Sequence, residues 1–227
     1  MRSEVILLNE SAILAARRGN WEFSLLSKQK KFNLAKRFRG LLPVVIDVET
    51  SGLEVGSNAL LELAAVTLSL DSMGKIFPQQ TFSYFIEPFP GAVLDTDALV
   101  ITGIDPFQPL RYAIPERQAL ERLFAHIREQ LAATGCVRAV LVGHNAWFDL
   151  AFILAAIKRN GIIDAPIHSF TTFDTATLSA VALGETVLAR SVREAGFEFD
   201  VSKAHSAVYD AQRTADLFCY IVNNVGV

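Results

Sequence analysis

Between Gly40 and Gly52 the chain reads Leu-Leu-Pro-Val-Val-Ile-Asp-Val-Glu-Thr-Ser, an apolar, β-branched segment with two acids near its end. Residues 42–48 therefore predict a buried strand. Side chains two apart share one face of a strand, so Asp47 and Glu49 point the same way. Two adjacent carboxylates on a buried strand repel each other and are costly to desolvate. They could lie past the sheet edge, in water, but the preceding Val44-Val45-Ile46 argues against full solvation. Divalent cations would relieve the repulsion, because oxygen ligands suit Mg²⁺ and Mn²⁺.

The rest of the chain supplies partners for that strand. Residues 60–70 and 81–87 read as two more strands, with 71–78 as the turn between them. Five of the eight prolines fall between Pro88 and Pro115 and mark an elaborated connection, which also carries the apolar run 98–101. Leu120, Leu123, Phe124, Ile127 and Leu131 follow helical spacing, and Gly135 ends that helix. Residues 137–142 and 170–173 read as strands. Residues 146–160, a segment ending near Gly184, 186–195 and 204–224 read as helices. A meander followed by alternating strands and helices predicts an α/β fold, a mixed sheet with helices on its faces.

A chain of 227 residues, 51% hydrophobic, buries a substantial core and suits one such domain. Residues 1–35 are expected to be an N-terminal extension and 36–227 the folded domain. Lys28, Lys30, Lys31, Lys36, Arg37 and Arg39 form a basic stretch that on charge alone reads as a solvated face. A net charge of −3 argues against a wholly basic nucleic-acid coat protein, but not against a nucleic-acid enzyme. Two cysteines, Cys136 and Cys219, give no disulfide framework and suit a reducing compartment. No apolar run reaches the roughly 18 residues of a membrane span. The early apolar stretches are split by Asn9 and Glu10 and followed by Arg17 and Arg18, so no signal peptide is expected. These features predict a cytoplasmic protein.

Two further segments carry chemistry. Gly143-His144-Asn145-Ala146-Trp147-Phe148-Asp149 links a strand to a helix, where functional groups gather in open α/β sheets. Asp149 sits in the first helical turn, where the helix dipole alone would favour it. His144 and Asn145 read as ordering the turn. His205 and Asp210 stand at the start of the last helix and could be no more than polar residues on its wet side. Each piece alone is ordinary.

The order Asp-x-Glu, then Asp, then His-x₄-Asp is far more specific. It resembles the histidine-bearing branch of the DEDD exonuclease superfamily, with Asp47 and Glu49 matching its first motif, Asp149 its second, and His205 with Asp210 its third. Across about residues 36–223 the chain is similar to the bacterial ribonuclease T family. The segments that carry this likeness are Arg37-Phe38-Arg39-Gly40, Pro43 to Thr50, Glu87-Pro88-Phe89, Gly103-Ile104-Asp105-Pro106, Gly135-Cys136-x-Arg138-Ala139, Phe173-Asp174-Thr175 and Ala204-His205-Ser206-Ala207.

The resemblance implies a ribonuclease H-like fold and 3′→5′ hydrolysis with two divalent metals, Mg²⁺ or in its place Mn²⁺, held by Asp47, Glu49, Asp149 and Asp210. His205 would be the catalytic base, since histidine changes charge near neutrality. Asp174 would support the site. Phe148 and Phe170 match positions that stack on bases, whereas Leu53 and Ile101 stand where the family carries aromatics. Core packing remains the other reading of these four. The resemblance further implies trimming of tRNA and other stable RNA 3′ ends, activity on single-stranded DNA 3′ ends, and a homodimer. Arg37, Arg39 and Arg138 match a basic surface that serves the partner subunit's site. The main alternative is a proofreading 3′→5′ exonuclease subunit of a DNA polymerase, which shares the motifs but lacks the 135–138 type of segment. An RNA-binding scaffold without activity would show a broken set of acids, and here the set is complete.

Overall fold

The computed structural model describes residues 33–225. The expected extension, residues 1–35, and Lys28, Lys30 and Lys31 within it lie outside the described residues as far as residue 32.

Five strands form one mixed sheet: β1 (Leu41–Thr50), β2 (Leu60–Leu70), β3 (Ile76–Phe85), β4 (Arg138–Gly143) and β5 (Ile167–Asp174), in the order β3-β2-β1-β4-β5. The first three make an antiparallel meander, while β4 and β5 add in parallel to β1. This is the mixed sheet flanked by helices that the sequence predicts. The β-branched run of β1 is buried because the strand is central, with neighbours on both edges and both faces covered. Pro43 fits there because pairing with β2 begins only at Val44, so its missing N–H costs no bond on that side.

The α-helices are α1 (Leu34–Arg37), α2 (Thr96–Thr102), α3 (Glu116–Thr134), α4 (Ala146–Arg159), α5 (Thr175–Leu183), α6 (Leu188–Glu194) and α7 (Ala207–Asn224), and 3-10 turns lie at Pro109–Arg111 and Val201–Lys203, among the described residues. Buried Ala119, Leu120, Leu123, Phe124 and Ile127 give α3 the apolar stripe that its spacing predicts. Helix α7 packs across β1, β2 and β3, and α4 lies along β4 and β5. Phe218 of α7 stacks on Phe173 of β5 and on Phe38, closing the core around the sheet. Val192, Ala195, Leu217 and Ile221 seat α6 on α7 in a smaller cluster.

Several boundaries differ from expectation. The turn after β2 is shorter than 71–78, because β3 starts at Ile76 and takes Pro78 at an edge position next to a register shift. β3 ends at Phe85 rather than 87, and β5 runs from Ile167 rather than 170. The apolar run 98–101 is part of α2. Helix α6 is shorter than 186–195, and α7 begins at Ala207, leaving His205 outside it.

Candidate active site

Parallel pairing of β1 with β4 stops at Val45↔Val142, while pairing with β2 continues to Thr50↔Leu60. Beyond Val45, β1 has lost its β4 neighbour, and the start of α4 enters the gap. Asp149 Oδ1 accepts the Val48 N–H at 3.0 Å, so a side chain replaces the missing ladder partner. Asp47 and Glu49 flank that bond on β1. A Cβ on Gly143 would stand 3.2 Å from Asp149 Oδ2 and 3.1 Å from Ala146 Cα, a tight approach that glycine relieves.

The third segment arrives from the other side. His205 has φ +64°, a left-handed conformation that turns the chain sharply into α7. Asp210, in the first turn of α7, accepts the His205 N–H on Oδ2 at 3.0 Å. Its Oδ1 is buried with no hydrogen-bond partner. One oxygen each of Glu49 and Asp210 and one ring nitrogen of His205 lie within 4.8 Å of one another. His205 itself is exposed at the rim.

Negative charge accumulates here. Burial, then Asp149, Glu49, Asp210 and Glu62, push the Asp47 carboxyl well above the usual carboxylate range. Glu49 is pushed up to about 8 by burial and by Asp210, Glu62 and Asp149. Burial raises Asp149 to about 8 against the opposing pull of the Val48 N–H. Asp210 is raised by burial, partly offset by the His205 N–H and the imidazole's charge.

The turn that carries Asp149 is locked from outside. Asn145 caps α4 in the left-handed conformation, φ +64°, and its N–H is held by Asp174 Oδ1 at 2.9 Å. Asp174 also caps α5 through the Ala176 N–H, and it accepts the Thr177 hydroxyl at 3.0 Å. His144 points away from the acids: its Nε2 lies 2.7 Å from the Thr186 carbonyl and its Nδ1 3.0 Å from Thr175 Oγ1. Burial lowers its pKa, against the Thr186 carbonyl and Asp174. His144 thus orders the turn, as its sequence context suggests.

Sequence alone does not mark Glu62 as a site residue. It stands directly across from Glu49 in the β1–β2 ladder and accepts the Ala207 N–H at 3.4 Å. A lone acid in the otherwise apolar Leu-Leu-Glu-Leu-Ala-Ala-Val stretch is a signal, but its meaning depends on strand register.

The RNase_T exonuclease family model matches residues 44–218. Ribonuclease T of Hahella chejuensis is 53% identical over 193 residues, covering 85% of this chain and 88% of its own. Ribonuclease T of Vibrio cholerae is 51% identical over 200 residues, covering 88% and 89%. The chain belongs to the ribonuclease T family of exonucleases. It is accordingly a hydrolase, and the family is metal-dependent. Among solved structures, the 3′-exonuclease that recognises the histone mRNA stem-loop superposes with a TM-score of 0.69 at 16% identity, covering 96% of this chain and 75% of that one. Escherichia coli exonuclease I in complex with a dT13 oligonucleotide gives 0.61 at 18% identity, over 81% of this chain but only 41% of exonuclease I. At such identities the likeness shows the shared ribonuclease H-like fold. Among the described residues no helix is long and apolar enough to cross a membrane.

The donor set fits divalent metal ions. It is all carboxylate apart from one imidazole, one buried oxygen is orphaned, and the acids resist ionisation without a cation. Leu53 is 77%, Ile101 63% and Phe170 80% exposed, so core packing does not account for them. Gly52 precedes Leu53 at φ +156°, and a Cβ there would clash with Asp95 Oδ2 and the Asn58 side chain. Phe148 packs on the core, 4.9 Å from the Phe152 ring and edge-on to Trp147. Arg39 and Arg138 are exposed, at the opposite end of β1 and β4 from the acids. Arg37 donates to the Gly74 and Val222 carbonyls at 2.7 and 2.8 Å, which fixes its guanidinium at the surface.

Proposed function

We propose that the chain is a 3′→5′ exoribonuclease that trims single-stranded 3′ ends of tRNA and other stable RNAs. It releases nucleoside 5′-monophosphates and also acts on single-stranded DNA 3′ ends. The observation that carries this reading is the convergence of acids from three separate segments on one buried spot, with an exposed histidine at its rim. The proofreading alternative is not favoured, since the Hahella chejuensis and Vibrio cholerae relatives are ribonucleases T.

In this reading Asp47, Glu49, Asp149 and Asp210 hold two Mg²⁺ ions, directly or through water, and Mn²⁺ substitutes. Bound divalent cations supply positive charge to the scissile phosphate and acidify the attacking water. Asp149 keeps one oxygen on the Val48 N–H, so its orientation is set before any ligand arrives. His205 accepts the proton of the attacking water on a ring nitrogen and, being exposed, passes it to solvent. Phe148 and Phe170 stack on the terminal bases, while Leu53 and Ile101 give apolar contact without a π face. Asp174 supports the site by holding the Asn145 turn.

Arg37, Arg39 and Arg138 belong to substrate binding through a homodimer. Leu41 and Glu49 are separated along β1 by roughly 26 Å at about 3.3 Å per residue, so a basic strip at the strand's start does not reach its own acids. A second subunit brings it to them. The setting is the cytoplasm.

Digestion of 3′-labelled and 5′-labelled oligonucleotides, RNA and DNA, with and without Mg²⁺, tests the proposal. The expected result is immediate release of labelled mononucleotide from the 3′ end only, with RNA cleaved and chelator abolishing the reaction. Internal cuts, 5′ release or full activity in excess chelator would overturn it.

A further inference from the structure

Helix α7 starts without the side-chain cap that its sequence offers. Ser206 occupies the N-cap position, yet its hydroxyl makes no capping bond. Acids take the donors at its start instead: Glu62 takes the N–H of Ala207, the first helical residue, and Asp210 takes the His205 N–H in the turn before it. The Glu62 bond crosses from the sheet to the helix, joining residues 145 apart in sequence. Glu62 also faces Glu49 across the β1–β2 ladder, where like charges directly opposite are unfavourable. Burial raises the Glu62 carboxyl further, and the Ala207 N–H and Arg111 work against that rise. The Arg111 guanidinium donates to the carbonyl of Leu61 at 2.7 Å and to that of Pro106 at 3.3 Å, and its cation favours the charged form of Glu62.

We infer that Glu62 is a positioning residue: by holding the Ala207 N–H it fixes the start of α7 against β2 and so sets where Asp210 and His205 stand relative to Glu49. Asp210 spends one oxygen on the turn and leaves the other free in the acid cluster. That division is useful only if the helix start does not drift. A left-handed residue just ahead of the N-cap is strained and holds its place only when its surroundings fix it. Glu62 is the sheet's contribution to that restraint.

The inference rests on the reading of the acids as metal holders, and the two are separable. Three variants, Glu62→Gln, Glu62→Asp and Glu62→Ala, are compared with the parent by Mn²⁺ titration calorimetry, by kcat and KM on a 3′-labelled RNA, and by melting without metal. Gln keeps an acceptor at full reach without the charge, whereas Asp keeps the charge but falls short of the Ala207 N–H. Partners that orient metal-holding side chains typically cost 10–100-fold when removed, so Asp and Ala are expected to lose about 10–100-fold in Mn²⁺ affinity and kcat with KM little changed, and Gln to stay within about threefold. Parent-like Asp and Ala variants would overturn the inference. A Gln variant as impaired as Ala would do the same, because charge rather than the bond would then matter. If Ala does not fold, the contrast of Gln with Asp decides alone. Failure of the parent itself to bind Mn²⁺ would remove the metal reading and this inference with it.

Discussion

Glu116 and Glu49 are both buried glutamates, 6% and 9% exposed, and the chain treats them in opposite ways. Glu116, in the first turn of α3, receives Arg159 through two bonds of 2.6 and 3.0 Å and Asn160 through one of 2.6 Å. Arg159 in turn lies 3.9 Å from the centre of the Phe89 ring, pinning the proline-rich connection. Glu49 has Asp47, Asp149, Asp210 and Glu62 around it, and among the described residues no lysine or arginine forms an ion pair with those acids. A buried charge is normally paired within the chain or coordinates a metal. The first acid is a structural clamp whose cation is built in. The second group is held by backbone N–H groups that the acids accept and has no ion-pair partner among the described residues, which fits a cation supplied from outside the chain.

The contrast is sharpest in substitutions that remove charge without changing shape. Asp47→Asn is expected to lower turnover by about a thousandfold or more, the scale of several kcal/mol of charge stabilisation at the phosphate. The same change should raise the melting temperature of the metal-free protein, because one repelling, desolvated carboxylate is gone. Single-turnover kinetics and a melting curve in chelator check both signs together. A variant that is inactive because it is less stable would break the contrast.

At the other acid the effects reverse. Arg159→Met leaves Glu116 buried without its cation and is expected to cost about 3 kcal/mol of stability, as broken buried pairs do. Activity per folded molecule should be unchanged, measured by denaturant unfolding beside the nuclease assay.

Next comes pH. Glu49 and Asp149 titrate near 8 when folded, far above their unfolded values, so below pH 8 the metal-free native state binds more protons than the unfolded one. Stability then falls as pH rises from about 4.5 to about 8, the reverse of an ordinary paired carboxylate. Saturating Mg²⁺ should flatten that slope, which melting at several pH values would show. A slope that is unchanged by metal would contradict the link.

The smallest expected effect concerns the bases. Leu53→Phe with Ile101→Phe adds two rings at exposed positions, each worth at most about 1–3 kcal/mol of stacking and less after the lost aliphatic contact. Binding of single-stranded 3′ ends should tighten and terminal-base preference sharpen, with metal dependence untouched. Kinetics on oligonucleotides differing only in the last two nucleotides measure this. Identical constants in mutant and parent would mean these side chains do not meet the bases.

Much of this architecture is legible in sequence. Strand β2 falls on residues 60–70 as expected, since its apolar run is bounded by turn residues, and α3 follows its stripe. The candidate acids and His205 are legible only as an ordered set, because each alone suits a helix terminus or a wet face. What escapes sequence depends on distant pairing. Pro78 reads as a turn, yet an edge strand tolerates it beside a register shift. Glu62 matters only through its register with Glu49 and its reach to Ala207. The left-handed conformations of Asn145 and His205, which aim the two helices at the acids, have no signature in residue type strong enough to read. Arg37 matches a basic surface position, but the carbonyls that fix its guanidinium come from Gly74 and from Val222, 185 residues away.

On the proposed function, divalent cations hold Asp47, Glu49, Asp149 and Asp210 together. Titration of Mn²⁺ into chelator-stripped protein, with free Mn²⁺ followed by electron paramagnetic resonance, tests it most directly. The parent should bind two ions per chain, Asp47→Asn should lose at least one, and Glu116→Gln should bind as the parent does. Equal binding by the parent and Asp47→Asn, or no binding by the parent, would show that the acids do not hold the cations.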